Sequence, residues 1–201
     1  MDAIETLMNE HRVIERVLDG LVAFAEEAGR KGTTEKEELA RFVTFVREFA
    51  DACHHGKEED ILFAAMVAHG FPRNGGPIAV MLHEHDQGRG LVKILRERAE
   101  QGAPWSDADR TEIAEVARGF SQLLRAHIHK EDAILYPMAE QHLPPEAMEE
   151  VAEACARYEE DPARAGAHER LHALAEELVR AHAPAVHPES PHARPSFGCC
   201  G

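Results

Sequence analysis

Aromatic residues are scarce in this 201-residue sequence, at 5%, and no apolar run approaches the roughly 20 residues that a membrane span requires. A transmembrane chain is thereby excluded, and the core must be aliphatic with a few phenylalanines. The four cysteines (Cys53, Cys155, Cys199 and Cys200) show no C-x-x-C spacing, which argues against a disulfide framework in a reducing compartment. The opening MDAIETLMNEH has neither the basic nor the apolar stretch of a secretory signal, so a cytoplasmic location is expected. Positive charge is also in deficit: 22 Lys and Arg stand against 37 Asp and Glu, a formal net charge of -15. Such a chain repels phosphate backbones and anionic lipids and draws cations, so no nucleic-acid or membrane partner is expected.

What the sequence does have is a globular balance, 44% hydrophobic and 29% charged, and 14 histidines, the commonest metal-ligating side chain. Apolar residues recur at three- and four-residue steps over four long stretches. The first runs from Ala3 to Ala28, with Ile4, Leu7, His11, Ile14, Leu18 and Leu21 on one stripe. The second opens with Thr34 as N-cap and Glu37 three residues on, and carries Leu39, Val43, Val46, Ala50, His54, Glu58, Ile61 and Ala65 inward to about His69. The third starts at Pro77, turns Ile78, Leu82, His85, Val92 and Leu95 inward, and closes near Gln101. Ser106, with Asp109 three on, caps the fourth, whose stripe is Ile113, Val116, Phe120, Leu123, His127, Glu131, Ile134 and Met138. This pattern predicts an all-α protein. Residues 1–143 form an antiparallel up-down four-helix bundle, 144–182 add two C-terminal helices, and 183–201 are a disordered tail holding His187, His192, Cys199 and Cys200.

The bundle repeats itself. At an offset of 73, HHGKEEDILF (His54 to Phe63) lies over HIHKEDAILY (His127 to Tyr136), and at an offset of 74 Glu10-His11 lies over Glu84-His85. Helices one and two are thus duplicated as three and four, which implies a pseudo-twofold axis. His54 and Glu58 are four residues apart, as are His127 and Glu131, so each pair projects from one helix face. With His11 and His85, all four helices turn imidazole into the core and two add a carboxylate. Burying six such groups costs several kcal/mol unless a cation is among them. Two metal ions meet that need, each with two imidazoles and a share of two bridging carboxylates. Nitrogen and carboxylate donors suit iron or manganese, with zinc a further option.

The elements His11, His54-x-x-x-Glu58, His85 and His127-x-x-x-Glu131, in order on four helices, resemble the hemerythrin-like (HHE cation-binding) proteins. That resemblance covers roughly residues 1 to 143. It implies a hemerythrin-like bundle and a non-haem di-iron centre, two iron ions bridged by oxo or hydroxo, with manganese or zinc less favoured. It also implies dioxygen, nitric oxide or peroxide as small ligands and a di-iron oxidoreductase activity. Classical oxygen carriers have two histidines four apart on the third helix, where this sequence has Met81 and Arg89 around His85. The four-His, two-Glu pattern is closer to bacterial proteins linked to iron-centre repair and nitrosative stress, and an iron-handling or sensing module is the alternative.

Other residues are expected to be bland. His55, His83 and His129 fall beside the stripes and read as flanking groups. Glu59 and Asp132 read as solvated, or as partners that hold an imidazole N–H, and Lys57 and Lys130 as surface partners of neighbouring acids. His168-Glu169-Arg170-Leu171-His172 spells H-E-x-x-H, but only Glu176, Glu177, His182 and the tail follow, so an outer amphipathic helix with exposed histidines is favoured over a zinc site.

Overall fold

The computed structural model of the chain describes residues 2–160 and 166–183, so almost all of the predicted tail, with His187, His192, Cys199 and Cys200, lies outside the described residues. Six helices and no strand are present among the described residues. The first, α1 (Ala3–Lys31), is capped by Asp2, whose carboxylate accepts from the Ile4 N–H, and it stops at Gly32, whose left-handed φ of 67° disfavours a side chain. The second, α2, opens as Lys36–Phe45 without a side-chain cap. Thr34, the expected N-cap, instead accepts the backbone N–H of Trp105 at 3.1 Å and ties together the loops at one end of the bundle. α2 then runs through two π-helical segments, Val46–His55 and Glu58–Leu62, and finishes as Phe63–Ala68.

α3 (Gly76–Glu100) carries its proline in the first turn. α4 begins as Asp107–Lys130 behind the expected Ser106–Asp109 capping box, passes a π-helical turn at Glu131–Leu135, and ends as Tyr136–His142. α5 (Pro145–Glu159) and α6 (Ala167–Ala181) are the two additional helices. Antiparallel order shows in which residues meet. Phe24 packs on Phe42 and His11 on His54 between α1 and α2, while Arg98 binds Glu112 and His85 lies on His127 between α3 and α4. None of the described helices is long and apolar enough to cross a membrane.

The hydrophobic core comes in two parts. One contains Ile14, Leu18, Phe42, Phe49, Val92 and Phe120, and the other Leu7, Leu62, Phe63, Met81, Leu135 and Ala139. Between them lies a buried polar layer: His11, His54, Glu58, His85, His127 and Glu131 are all at most 1% exposed. Beyond this layer the observed stripe departs from the expected one. Leu62 and Met66 are buried where Ile61 and Ala65 were expected, and Leu135 and Ala139 where Ile134 and Met138 were expected; Ile134 is 53% exposed. The cause is the π turn, which holds residues spaced by four or five on one line where an α-helix would rotate them away. Both π turns, Glu58–Leu62 and Glu131–Leu135, occupy duplicated positions.

The additional helices break the twofold by covering the α1–α2 side. Arg16 and Arg41 hold α6 through Glu176 and Glu177, each at 2.7 Å or less. α5 sets Tyr158 directly over Gly56, with the hydroxyl donating to the Ala52 carbonyl at 2.9 Å. A Cβ at Gly56 would lie 2.1 Å from that hydroxyl oxygen, so any larger residue must push the Tyr158 ring off this seat. Gly56→Ala is therefore expected to destabilise the fold by about 1–3 kcal/mol in denaturant unfolding, through overpacking, with partial recovery in Gly56→Ala/Tyr158→Phe. A single variant as stable as the parent would refute this packing account.

Candidate metal centre

The centre is built from the outside inward. Each of its four duplicated histidines presents Nδ1 to a carboxylate on a neighbouring helix. His11 donates to Asp132 at 2.7 Å, His54 to Glu10 at 2.8 Å, His85 to Glu59 at 2.7 Å and His127 to Glu84 at 2.9 Å. A carboxylate only accepts, so Nδ1 must carry the ring proton in every case. The four bonds form a closed belt: α1 donates to α4, α4 to α3, α3 to α2, and α2 back to α1. The belt obeys the duplication, since Glu59 corresponds to Asp132 and Glu10 to Glu84.

Cations anchor the carboxylates in turn. Arg12 binds Asp132 at 2.5 Å, Arg89 binds Glu59 at 2.7 Å, Lys57 binds Glu10, and Lys130 binds Glu84. Burial works to raise the Glu10 carboxyl, yet the hydrogen bonds and charges of His54 and Lys57 prevail and hold it at about 2. Burial likewise opposes ionisation of Glu59, but His85 and Arg89 keep it at about 2. Lys57 is fully buried, not a surface residue as expected, and its ammonium also reaches Glu159 of α5 at 2.5 Å. Its counterpart Lys130 stays 34% exposed in the side chain.

With every Nδ1 turned out, every Nε2 turns in. There the acceptors face one another. His11 Nε2 lies 3.3 Å from Glu131 Oε2, His127 Nε2 is 3.1 Å from the same oxygen, and His85 Nε2 is 3.0 Å from His127 Nε2. His54 Nε2 and His85 Nε2 lie 3.7 and 3.5 Å from Glu58 Oε2. His54 Nε2, Glu58 Oε2 and both Glu131 oxygens are buried with no hydrogen-bond partner. Tyr136 supplies one of the few donors, its hydroxyl reaching Glu58 Oε1 at 2.6 Å. Burial and the charge of Glu131 push the Glu58 carboxyl well up. Burial opposes ionisation of Glu131 too, but His127 and His11 draw its carboxyl down. Burial and the charge of His11 lower His54 to about 4. Burial opposes protonation of His11 and His127, yet Asp132, Glu131 and Glu84 draw both up, so that protons take the place a cation would fill. A metal would replace them, and the donor set fits a nitrogen- and carboxylate-ligated transition metal.

All six sequence-predicted residues meet in this layer. Two groups of four converge closely enough to hold an ion each: His11, His54, Glu58 and Glu131, and His55, Glu58, His85 and His127. His55 corrects the expectation that it flanks the stripe. It is buried, stacks on His85 at 3.8 Å, and its Nδ1 meets Asp51 at 3.4 Å. Burial and the neighbouring His85 lower it to about 3. The π-helical run Val46–His55 explains this, because its wider turn reduces the angle between adjacent residues and brings both His54 and His55 inward. His83 and His129 are exposed, as expected.

A third group, Glu10, Glu159 and His168, also converges, but the Lys57 ammonium already joins its two carboxylates. The H-E-x-x-H histidines are half-buried rather than exposed, their ring centroids 4.4 Å apart, with His172 edge-on to Phe49 at 5.1 Å. Their position is explained by packing of α6 on α2.

If the belt sets the donor orientation, Glu84→Ala and Asp132→Ala should each weaken divalent transition-metal affinity about 10- to 100-fold in a chelator competition. Wild-type affinity in both variants would show that the Nδ1 partners are dispensable.

Comparison with known proteins agrees with this geometry. Residues 2–139 match the family model described as "Hemerythrin HHE cation binding domain". Among curated proteins, the iron-sulfur cluster repair protein YtfE of Enterobacter sp. (strain 638) is 34% identical over 105 residues, covering 50% of this chain and 46% of the relative. YtfE of Musicola paradisiaca (strain Ech703) is 36% identical over 121 residues, covering 50% of this chain and 54% of the relative. The chain thus spans about half the length of the curated relatives it matches. No solved structure matches it. With four histidine-bearing helices, two H-x-x-x-E pairs and a family model covering most of its length, the chain belongs to the hemerythrin HHE cation-binding family.

Proposed function

We propose that this chain is a non-haem di-iron protein whose buried layer binds or reduces a small oxidant: dioxygen, nitric oxide or peroxide. The observation that carries the reading is the convergence of imidazole Nε2 and carboxylate oxygens, four of which are buried without a hydrogen-bond partner. His11, His54 and Glu131 would serve one iron, His85, His127 and His55 the other, and Glu58, common to both groups, would bridge. Glu131, within 3.3 Å of imidazoles from both halves, is the second bridging candidate. Bound there, a pair of irons supplies two electrons and Lewis acidity.

The chain's own residues do the rest. The carboxylate belt fixes each imidazole tautomer and raises its donor strength. Leu7, Leu62 and Leu135 on one side and Ile14 and Phe49 on the other keep bulk water from the layer. The Tyr136 hydroxyl holds Oε1 of Glu58, so that Oε2 is the oxygen turned to the imidazoles.

A second reading, an iron-handling module in repair of iron centres, is favoured by the names of the curated relatives. The two readings part on purified protein. The first expects about two irons per chain and an absorption that responds to dioxygen, peroxide or nitric oxide. The second expects iron transfer to an acceptor without turnover. In either case His54→Ala/His127→Ala is expected to lose iron, measured by metal analysis. Two irons retained in that double variant, or zinc in place of iron in the parent, would overturn the di-iron assignment.

A further inference from the structure

A narrow cavity of about 110 Å³ lies between α2, α3 and α4. Its floor is His55, His85 and His127, the half of the layer that α5 and α6 leave uncovered. Val46, Ala50, Val92, Phe120 and Leu124 form apolar walls, and Arg47, Lys93 and Arg96 stand at the far end. From His85 to Arg96 along α3 the cavity follows about 16 Å of helix.

Its charges are arranged unevenly. The acids on its lining are already satisfied: Asp51 by Arg89 and His55, Glu84 by Lys130 and His127. Arg89 is likewise taken up by Asp51, Glu59 and Asp86. Among the described residues, Arg47 and Lys93 have no ion-pair partner, and Arg96 reaches only Glu100, at 3.7 Å. Arg96 Nε is shut off from solvent and has no hydrogen-bond acceptor. In a chain of net charge -15, a cluster of uncompensated cations at the mouth of an apolar channel is an anion-attracting feature. Low-dielectric walls focus such a field along the channel and raise local anion concentration and on-rates.

We propose that the basic cluster draws a small monovalent anion through this channel to the His55, His85 and His127 side of the centre, in addition to the neutral oxidants proposed above; the proposal rests on the metal reading above. A cavity of this volume holds several water-sized groups, which suits a small anion of a few non-hydrogen atoms. The exposed Arg47 and Lys93 draw the anion in, and Arg96, whose Nε is buried without an acceptor, is the donor it meets inside.

Nitrite and nitric oxide, alike in size but differing in charge, test this on the iron-loaded protein by stopped-flow absorption. Arg47→Gln/Lys93→Gln/Arg96→Gln is expected to slow nitrite association about tenfold at low salt and abolish its ionic-strength dependence. Nitric oxide association and iron content should be unchanged. A Cβ at Gly88 meets Phe120 at an ordinary 3.5 Å, so Gly88→Leu is accommodated at its base, fills the channel and should slow both ligands. An unchanged nitrite rate in the triple variant, an equal loss for nitric oxide there, or unchanged rates in Gly88→Leu would overturn the proposal. Zinc-loaded protein separates this from the redox reading. Nitrite bound there, by calorimetry, and lost in the triple variant upholds the channel even if iron chemistry fails; no nitrite binding there overturns it.

Discussion

The structure depends on a belt of four hydrogen bonds, each from the Nδ1–H of an inward histidine to a carboxylate on the next helix. Because each helix donates to one neighbour and accepts from the other, the belt fixes ring orientation and helix register together. It also sets the chemistry of the interior. With Nδ1 committed outward, the inner ring nitrogens share one closed space with two buried carboxylates, an arrangement that is costly without a cation and selective with one. The aliphatic layers on either side have little freedom left, since they must close over a polar plane whose position is already determined.

The duplication is kept where the belt requires it and broken where function could differ between the halves. Glu10 and Glu84, Glu59 and Asp132, and Lys57 and Lys130 retain their roles across the pseudo-twofold. Three positions do not. His55 faces the layer where the second copy has buried Ile128, Tyr136 gives a hydroxyl where the first copy has Phe63, and Gly56 admits Tyr158 where the second copy has exposed His129. The outcome is a centre with two unlike sides: one beneath α5 and the buried Lys57, the other facing a channel.

Much of this was legible in the sequence, for physical reasons that can be named. Helical periodicity and capping located the helices, and the Ser106–Asp109 box is present as read. The six inward residues were recoverable because spacing by four and internal repetition both point at them. Thr34 failed as a cap because a tertiary partner, Trp105, took its hydroxyl. His55 was missed because a 3.6-residue period places adjacent residues about 100° apart. Nothing in local composition announces the π-helical widening that turns both inward, although two histidines in succession before the glutamate were a usable sign. Lys57 looked like a surface residue because the helix that buries it is contributed from a hundred residues downstream.

The π turns at Glu58–Leu62 and Glu131–Leu135 couple the ligands to the core by length alone. A π turn is equivalent to one residue more than an α-helix would use over the same rise. Winding either segment as α-helix with its residue count unchanged would rotate everything beyond by up to about 100°. Leu62 and Met66, or Leu135 and Ala139, would swing out of the core, and Ile61 or Ile134 would swing in. The far half of the bundle is thus keyed to the carboxylates like the teeth of a ratchet. Removing one residue inside either turn would therefore leave the residues beyond it facing as they do now, whereas the same removal elsewhere in these helices would be felt throughout the helix ends they lead into.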